Sequence, residues 1–367
     1  MSTWMATTGF LSGLVVLAVT GRSVLGTAVA PRGRPSRLVF ATVPVLIRGS
    51  QRISRRLPSK RIHRAVLRTV SPIALLFPPL MWASGTVVGM ALLAASVGAA
   101  PADIRAMPYV LGQLDDPRWT GHGFPLAVYG CLILIFIVLA TRITAVASAY
   151  QRRERFLWAL ACEARSCLDA EDVIVAHIHG GTPDSLDRMM NAWQLWIADL
   201  RVSHTSYPEL LTLPSSPDLS WLDATLVILD VAALMDALSP GTKPPPTRPL
   251  LVAGCAFVQA MAKDLQVSAV RSTPSLYGRE ERSFRTTIAR LADAGIHAER
   301  DYRTARATFQ RWRSRYAPYT AALTDLMCAQ DGLPVSELMP IAPFESFVSN
   351  LDISAEELSQ AFAPLAR

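Results

Sequence analysis

From Thr69 to Ala102 the chain carries no charged side chain. Within that stretch, roughly Leu80 to Ala100 is apolar and long enough to cross a bilayer, which takes about 20 residues. Nothing else in the sequence narrows the fold as far. A second apolar run covers about Thr8 to Ala30 and is interrupted by Arg22. A third covers about Phe124 to Thr141 and is closed by Arg142, whose long stem can snorkel to the interface. Backbone polar groups in lipid need internal partners, so runs of this kind read as helices. Composition agrees: 18% of the 367 residues are charged and 51% are hydrophobic, where soluble domains carry about 25% charge.

The distribution of charge sets an orientation. No Asp or Glu precedes Asp103, whereas twelve Arg or Lys do, and eleven of those fall in residues 31–70. Arg142, Arg152, Arg153 and Arg155 follow the third run. Under the positive-inside rule both basic sets stay in the cytoplasm, which leaves the N-terminus and the loop 101–123 outside and the C-terminus inside. The expected location is a bacterial inner membrane. Because the positive charges flank apolar spans, they are explained by topology, and nucleic acid is not an expected partner.

The expected fold class is all-α: a polytopic membrane protein with about three transmembrane helices and a cytoplasmic helical domain. Residues 1–30 hold the first span. Residues 31–70 form a basic connector in which "VFATVPVLIRGSQRISRRL" mixes apolar residues with Arg. That mixture fits an interfacial helix on anionic lipid, or a solvated loop, with Pro44 against a continuous helix. Residues 71–148 form a helix–loop–helix unit. Residues 149–240 begin a cytoplasmic domain, and Phe156, Leu160, Ala164 and Cys167 continue the third span at helical spacing. "SWLDATLVILDVAALMDAL" is almost apolar enough for a fourth span, but Asp223, Asp230 and Asp236 would each cost roughly 2.5–3.5 kcal/mol at a bilayer centre. It reads as a buried helix with Asp223 and Asp230 on one outward face.

A Pro-rich break at 239–249 precedes a second helical part, 241–367, with an apolar helix near 250–268. Phe284, Ile288, Leu291, Gly295, Ala298, Tyr302, Ala305, Phe309, Trp312 and Tyr316 then alternate steps of four and three. The stripe predicts one long helix over about 279–316, packed in its own bundle or against a second copy of the chain. Ser354 and Glu357 have capping-box spacing.

Chemistry is sparsely signalled. The five cysteines form no CxxC pair, and His177-x-His179 lacks further ligands at useful spacing, so neither metal nor cofactor is expected. There is no phosphate-cradling GxxxxGK[ST], GxGxxG or nucleophile-elbow Gly-x-Ser-x-Gly, and an enzyme is not expected. Gly180 reads as the C-cap of a helix ending in "HIHGG". Arg22 is an intramembrane charge close enough to a span end to snorkel. Gly9 with Gly13, and Gly85 with Gly89, permit close helix contact.

The loop before the third span contains "WTGHGFP", residues 119–125. Thr120, Gly121, His122 and Gly123 stand where a re-entrant carbonyl filter would stand between two membrane helices. The order of span, arginine-rich connector "PRGRPSRL" (31–38), helix–loop–helix and helical tail resembles a group of bacterial two-helix potassium-channel-like membrane proteins. The segments "SHTSYPELL" (203–211) and "SWLDATLVILDVAAL" (220–234) are similar to that group's tail motif. The resemblance covers about residues 8–240 and implies channel ancestry. In its filter pattern a Thr stands two residues before the first glycine and an acid follows the second; here Trp119 and Phe124 occupy those positions, with His122 at the centre. Pro108, Gly112 and Pro117 would break a pore helix. The residues therefore favour an external loop over a potassium filter. Two functions follow as expectations: a channel-like protein without potassium selectivity, and a scaffold or sensor acting through the cytoplasmic helices.

Overall fold

The computed structural model describes residues 3–28, 37–54, 70–96, 123–163, 169–180, 184–213, 220–269 and 274–331. These residues are helices joined by turns, without a strand among them, and divide into two units. Among the described residues three helices contain stretches long and apolar enough to cross a membrane: Ala6–Thr27, Val70–Ser96 and Tyr129–Leu160. The protein is an all-α membrane protein with a larger helical region outside its spans.

The first unit comprises residues up to Gly49, Thr69–Ala149 and His204–Thr212. Helix α1 (Thr3–Ala28) packs along α3 (Val70–Ser96). Between them in the chain comes α2 (Arg37–Ser54), which continues through Pro44, although a proline there argues against a continuous helix. Val43, Ile47 and Ser50 are buried at helical spacing, so α2 has one sheltered face. Helix α3 likewise begins before the expected Leu80 and runs through Pro78 and Pro79. A proline removes one helical hydrogen bond, and membrane helices tolerate that when neighbours satisfy the freed carbonyls.

Glycine sets the approach of α1 to α3. A Cβ on Gly13 would lie 2.9 Å from the Gly89 carbonyl oxygen, and one on Gly85 would lie 2.5 Å from Thr20 Oγ1. Gly9 faces Ser96 and Leu92 across the same seam. Helix α4 (Gly123–Glu163) joins them through Ile135, which packs with Val24 of α1 and Trp82 of α3. Trp82 Nε1–H donates to Ser23 Oγ at 3.0 Å, satisfying the indole inside the cluster. Gly13→Leu is expected to cost about 1–3 kcal/mol, because the atom it meets is backbone and cannot rotate away. A lowered apparent melting temperature of the detergent-solubilised chain checks this.

The second unit comprises Ser50–Arg68, Tyr150–Ser203 and residues from Leu213 on. It receives the end of α4, then α5 (Ala170–Gly180), most of α6 (Ser185–Ser206), α7 (Trp221–Leu238), α8 (Thr247–Asp264), α9 (Pro274–Asp293) and α10 (Tyr302–Asp331). Helix α7 is its centre, packed by α5, α8 and α10 and buried nearly all round. An apolar helix without a polar face is accommodated this way in a core. A Cβ on Gly254 of α8 would lie 2.3 Å from Leu229 Cδ2, so the α7–α8 contact also depends on glycine.

The single helix expected over 279–316 is divided. Helix α9 ends at Asp293 and α10 starts at Tyr302. Gly295 has φ +94°, its N–H donates to Ala292 O at 2.9 Å, and Ile296 N–H donates to Leu291 O at 2.8 Å. That pair of bonds is a Schellman terminus, with glycine where the left-handed backbone requires it. The apolar steps persist across the break because the two helices share a core, as Phe284 stacked on Phe309 at 5.2 Å shows.

Candidate functional site

Helix α6 ends at Ser206, and the next residues form a short 3₁₀ turn, Pro208–Thr212. Tyr207 precedes a proline and so disfavours further α-helix, while Pro208 suits the first position of a new turn. The break places Glu209, Leu210 and Leu211 in buried positions. This is the "SHTSYPELL" segment, and residues 204–212 belong to the same unit as the membrane helices.

There Arg142, at the end of the apolar part of α4, meets Glu209. Arg142 Nε donates to Glu209 Oε1 at 2.8 Å and Nη2 donates to Oε2 at 3.0 Å. Both side chains are 5% exposed. The Arg142 guanidinium also lies 5.5 Å from the centroid of the Tyr207 ring. Ser71 Oγ, in the first turn of α3, donates to the Thr212 carbonyl, and Thr212 Oγ1 donates to the Glu209 carbonyl at 2.7 Å. One short stretch thus ties the start of α3 to the end of the apolar part of α4. A planar guanidinium held bidentately fixes orientation as well as distance. The snorkelling expected of Arg142 does not occur: its side chain turns inward onto a carboxylate.

A second polar centre lies in the other unit. Asp236, 3% exposed, accepts from Lys243 Nζ, from Arg248 Nε at 3.1 Å and from Trp312 Nε1 at 2.8 Å. Arg300 Nη1 donates to its backbone carbonyl at 3.1 Å. Burial alone would raise the Asp236 pKa, but the donors from Lys243, Trp312 and Arg248 together hold it below the ordinary carboxylate value. Beside it, the Glu299 carboxylate accepts from the N–H groups of Gly241 and Thr242 at 2.6 and 3.1 Å, pinning the Pro-rich turn.

Asp223 and Asp230, expected on an outward face, are both engaged. Asp223 N–H donates to Ser220 Oγ, which itself donates to the Asp223 carboxylate, so the pair caps α7. Asp230 accepts from Tyr316 of α10 and pairs with Arg313. Burial raises its carboxyl above the ordinary value against the pull of those partners.

The other residues singled out by sequence are dispersed. Gly9, Gly13, Gly85 and Gly89 lie between α1 and α3. Arg22 is exposed on α1. Gly123 opens α4, while Thr120, Gly121 and His122 lie outside the described residues, as do Ser354 and Glu357. Gly180 is the last residue of α5, and His177 Nδ1 stands 2.8 Å from the Val173 carbonyl. Among the described residues no group of His, Cys, Asp and Glu is arranged to hold a metal. Sequence reasoning does not pick out Glu209 or Asp236 as the centre of a polar cluster. The signal for each is a lone carboxylate within an apolar run, "YPELL" and "ALMDAL".

The chain matches no protein-family model, no curated protein and no solved structure.

Proposed function

We propose that this protein is a membrane-embedded transducer, in which a cytoplasmic helical domain acts on the second and third spans through residues 204–212. The observation that carries this reading is the buried bidentate Arg142–Glu209 pair. Helix α6 ends one residue before a 3₁₀ turn that grips α3 and α4 at Ser71 and Arg142. A mere anchor has no need of a desolvated ion pair at that point, since desolvation is costly and an apolar contact would hold as well. The reading assigns no catalysis. It places the protein in a bacterial inner membrane with the N-terminus outside, and lays the arginines of α2 against anionic lipid. Reporter fusions at residues 50, 112 and 160 test that orientation, with 50 and 160 expected inside.

Hydrogen exchange of the full chain in nanodiscs tests transduction. Tyr316→Phe, a perturbation confined to the helical domain, is expected to raise exchange in 204–212 and in the first turn of α3. Changes confined to α7 and α10 would sink the idea.

A second reading keeps the channel-like layout. It is supported by two adjacent spans, α3 and α4, that flank residues 97–122 and are bound by one tail segment. In that case the chain self-associates around the loop and conducts without potassium selectivity. Reconstituted protein giving no current even at large voltages, or a monomer by mass in nanodiscs, would dismiss it.

A further inference from the structure

Between α1 and α3 lies an open groove of about 290 Å³, near the lower bound of about 300 Å³ for ligand pockets. Its walls are largely apolar: Val16 and Val19 on one side, Met81, Trp82 and Val88 on the other. Gly85 forms part of the floor, where the absence of a side chain lets Thr20 approach. The one aromatic polar group in it is already satisfied, because the Trp82 indole N–H donates to Ser23. Ser84 Oγ likewise donates to the Met81 carbonyl at 3.0 Å, so most of the polar groups along the groove are satisfied internally, and a hydrocarbon chain suits its apolar walls.

The charge at its end specifies the rest of the occupant. Arg22 is exposed and sits three residues beyond Val19, so it neighbours the groove on the helix surface. It lies within the span Ala6–Thr27, five residues, about 8 Å along the helix, from that span's end. A cation at this depth is costly without an anion. Residues 1–102 contain no Asp or Glu at all, so α1, α2 and α3 supply no carboxylate. Among the described residues no acidic side chain forms an ion pair with Arg22. A guanidinium is suited to bidentate binding of phosphate, and lipid phosphates lie within reach of its stem.

We propose that the α1–α3 groove is a binding site for one anionic phospholipid, with an acyl chain between Val19 and Val88 and the phosphate on Arg22. This site is separate from any lipid contact of the basic connector. Arg22 then has its counterion from the membrane, and the bound chain covers the groove beside Gly85.

Native mass spectrometry of the full chain, loaded with equal phosphatidylglycerol and phosphatidylcholine, reads this directly. The wild type is expected to retain one phosphatidylglycerol under activation that strips phosphatidylcholine. Arg22→Gln should reduce that retention at least fivefold, and Arg22→Lys should restore part of it. Ser84→Trp, which fills the groove from its exposed wall, should also abolish it, with Ser84→Leu as the substitute if the larger variant misfolds. Arg52→Gln in the connector should leave it unchanged, and inorganic phosphate should not displace it. Equal retention of both lipids, unaltered retention in Arg22→Gln, loss in Arg52→Gln, or displacement by phosphate would each overturn the assignment.

Discussion

Glu209→Ala in the full-length chain is expected to destabilise the membrane unit by about 3–5 kcal/mol, the range seen when one partner of a buried ion pair is removed. The reason is Arg142. Its side chain is 5% exposed and gives two hydrogen bonds to Glu209, so truncation leaves a guanidinium desolvated without an anion. Tyr207 supplies a ring face at 5.5 Å, but a contact of that kind is worth only about 0.5–2 kcal/mol. Glu209→Gln keeps one acceptor and should lose less. Replacing both residues with Met is expected to come closer to wild type than either single change, because no charge is then left buried. Thermal unfolding in detergent, followed by tryptophan fluorescence, measures all four proteins. A wild-type melting temperature in Glu209→Ala would show that the pair does not hold the segment.

The spans were legible because their information is compositional: a bilayer demands length and apolarity, and Thr8–Ala30 or Leu80–Ala100 supply both without reference to the rest of the chain. Their packing was partly legible for a similar reason, since small residues four apart on α1 and on α3 mark where backbones can meet. What was less legible was what each face meets. Asp223 and Asp230 do share the least buried side of α7 with Leu226 and Val227, but the helix is packed by α5, α8 and α10, and that side is only partly open to solvent. Their partners, Ser220 for one and Tyr316 with Arg313 for the other, are matters of capping and tertiary contact. The apolar stripe misled in another way. Its period continues through Gly295, whereas the backbone there turns at φ +94°, and two short helices facing one core leave the same sequence pattern as one long helix. The stem of Arg142 is visible in sequence, but the carboxylate that captures its head stands 67 residues away.

Asp236 is the position in the helical domain where one substitution is expected to matter most. Its carboxylate is 3% exposed and collects Lys243, Arg248 and Trp312, while Arg300 binds its carbonyl. The carboxylate's partners come from the Pro-rich turn, α8 and α10, and Arg300 from the loop between α9 and α10, so Asp236 of α7 fixes several pieces of chain at one point. Arg248 is 62% exposed and can return to water, so its bond contributes little. Lys243, 17% exposed, and the Trp312 indole lose a partner they cannot replace as easily. Asp236→Ala is therefore expected to cost about 3–5 kcal/mol, with Asp236→Asn intermediate because it still accepts from Trp312. The effect carries a pH signature. The folded pKa of Asp236 is depressed, so its contribution is present above the unfolded value of about 3.9 and is lost as pH falls through the lower folded value. Asp230 acts oppositely: its raised pKa makes its ionised form a burden near neutrality, relieved as pH falls through that value. Both proteins are therefore compared in an Asp230→Asn background, with and without Asp236→Ala. The stability gap between them should be constant near neutrality and close only below about pH 4. A gap already closing at neutral pH would mean that the donors do not depress Asp236, and that burial governs this carboxylate as it governs Asp230.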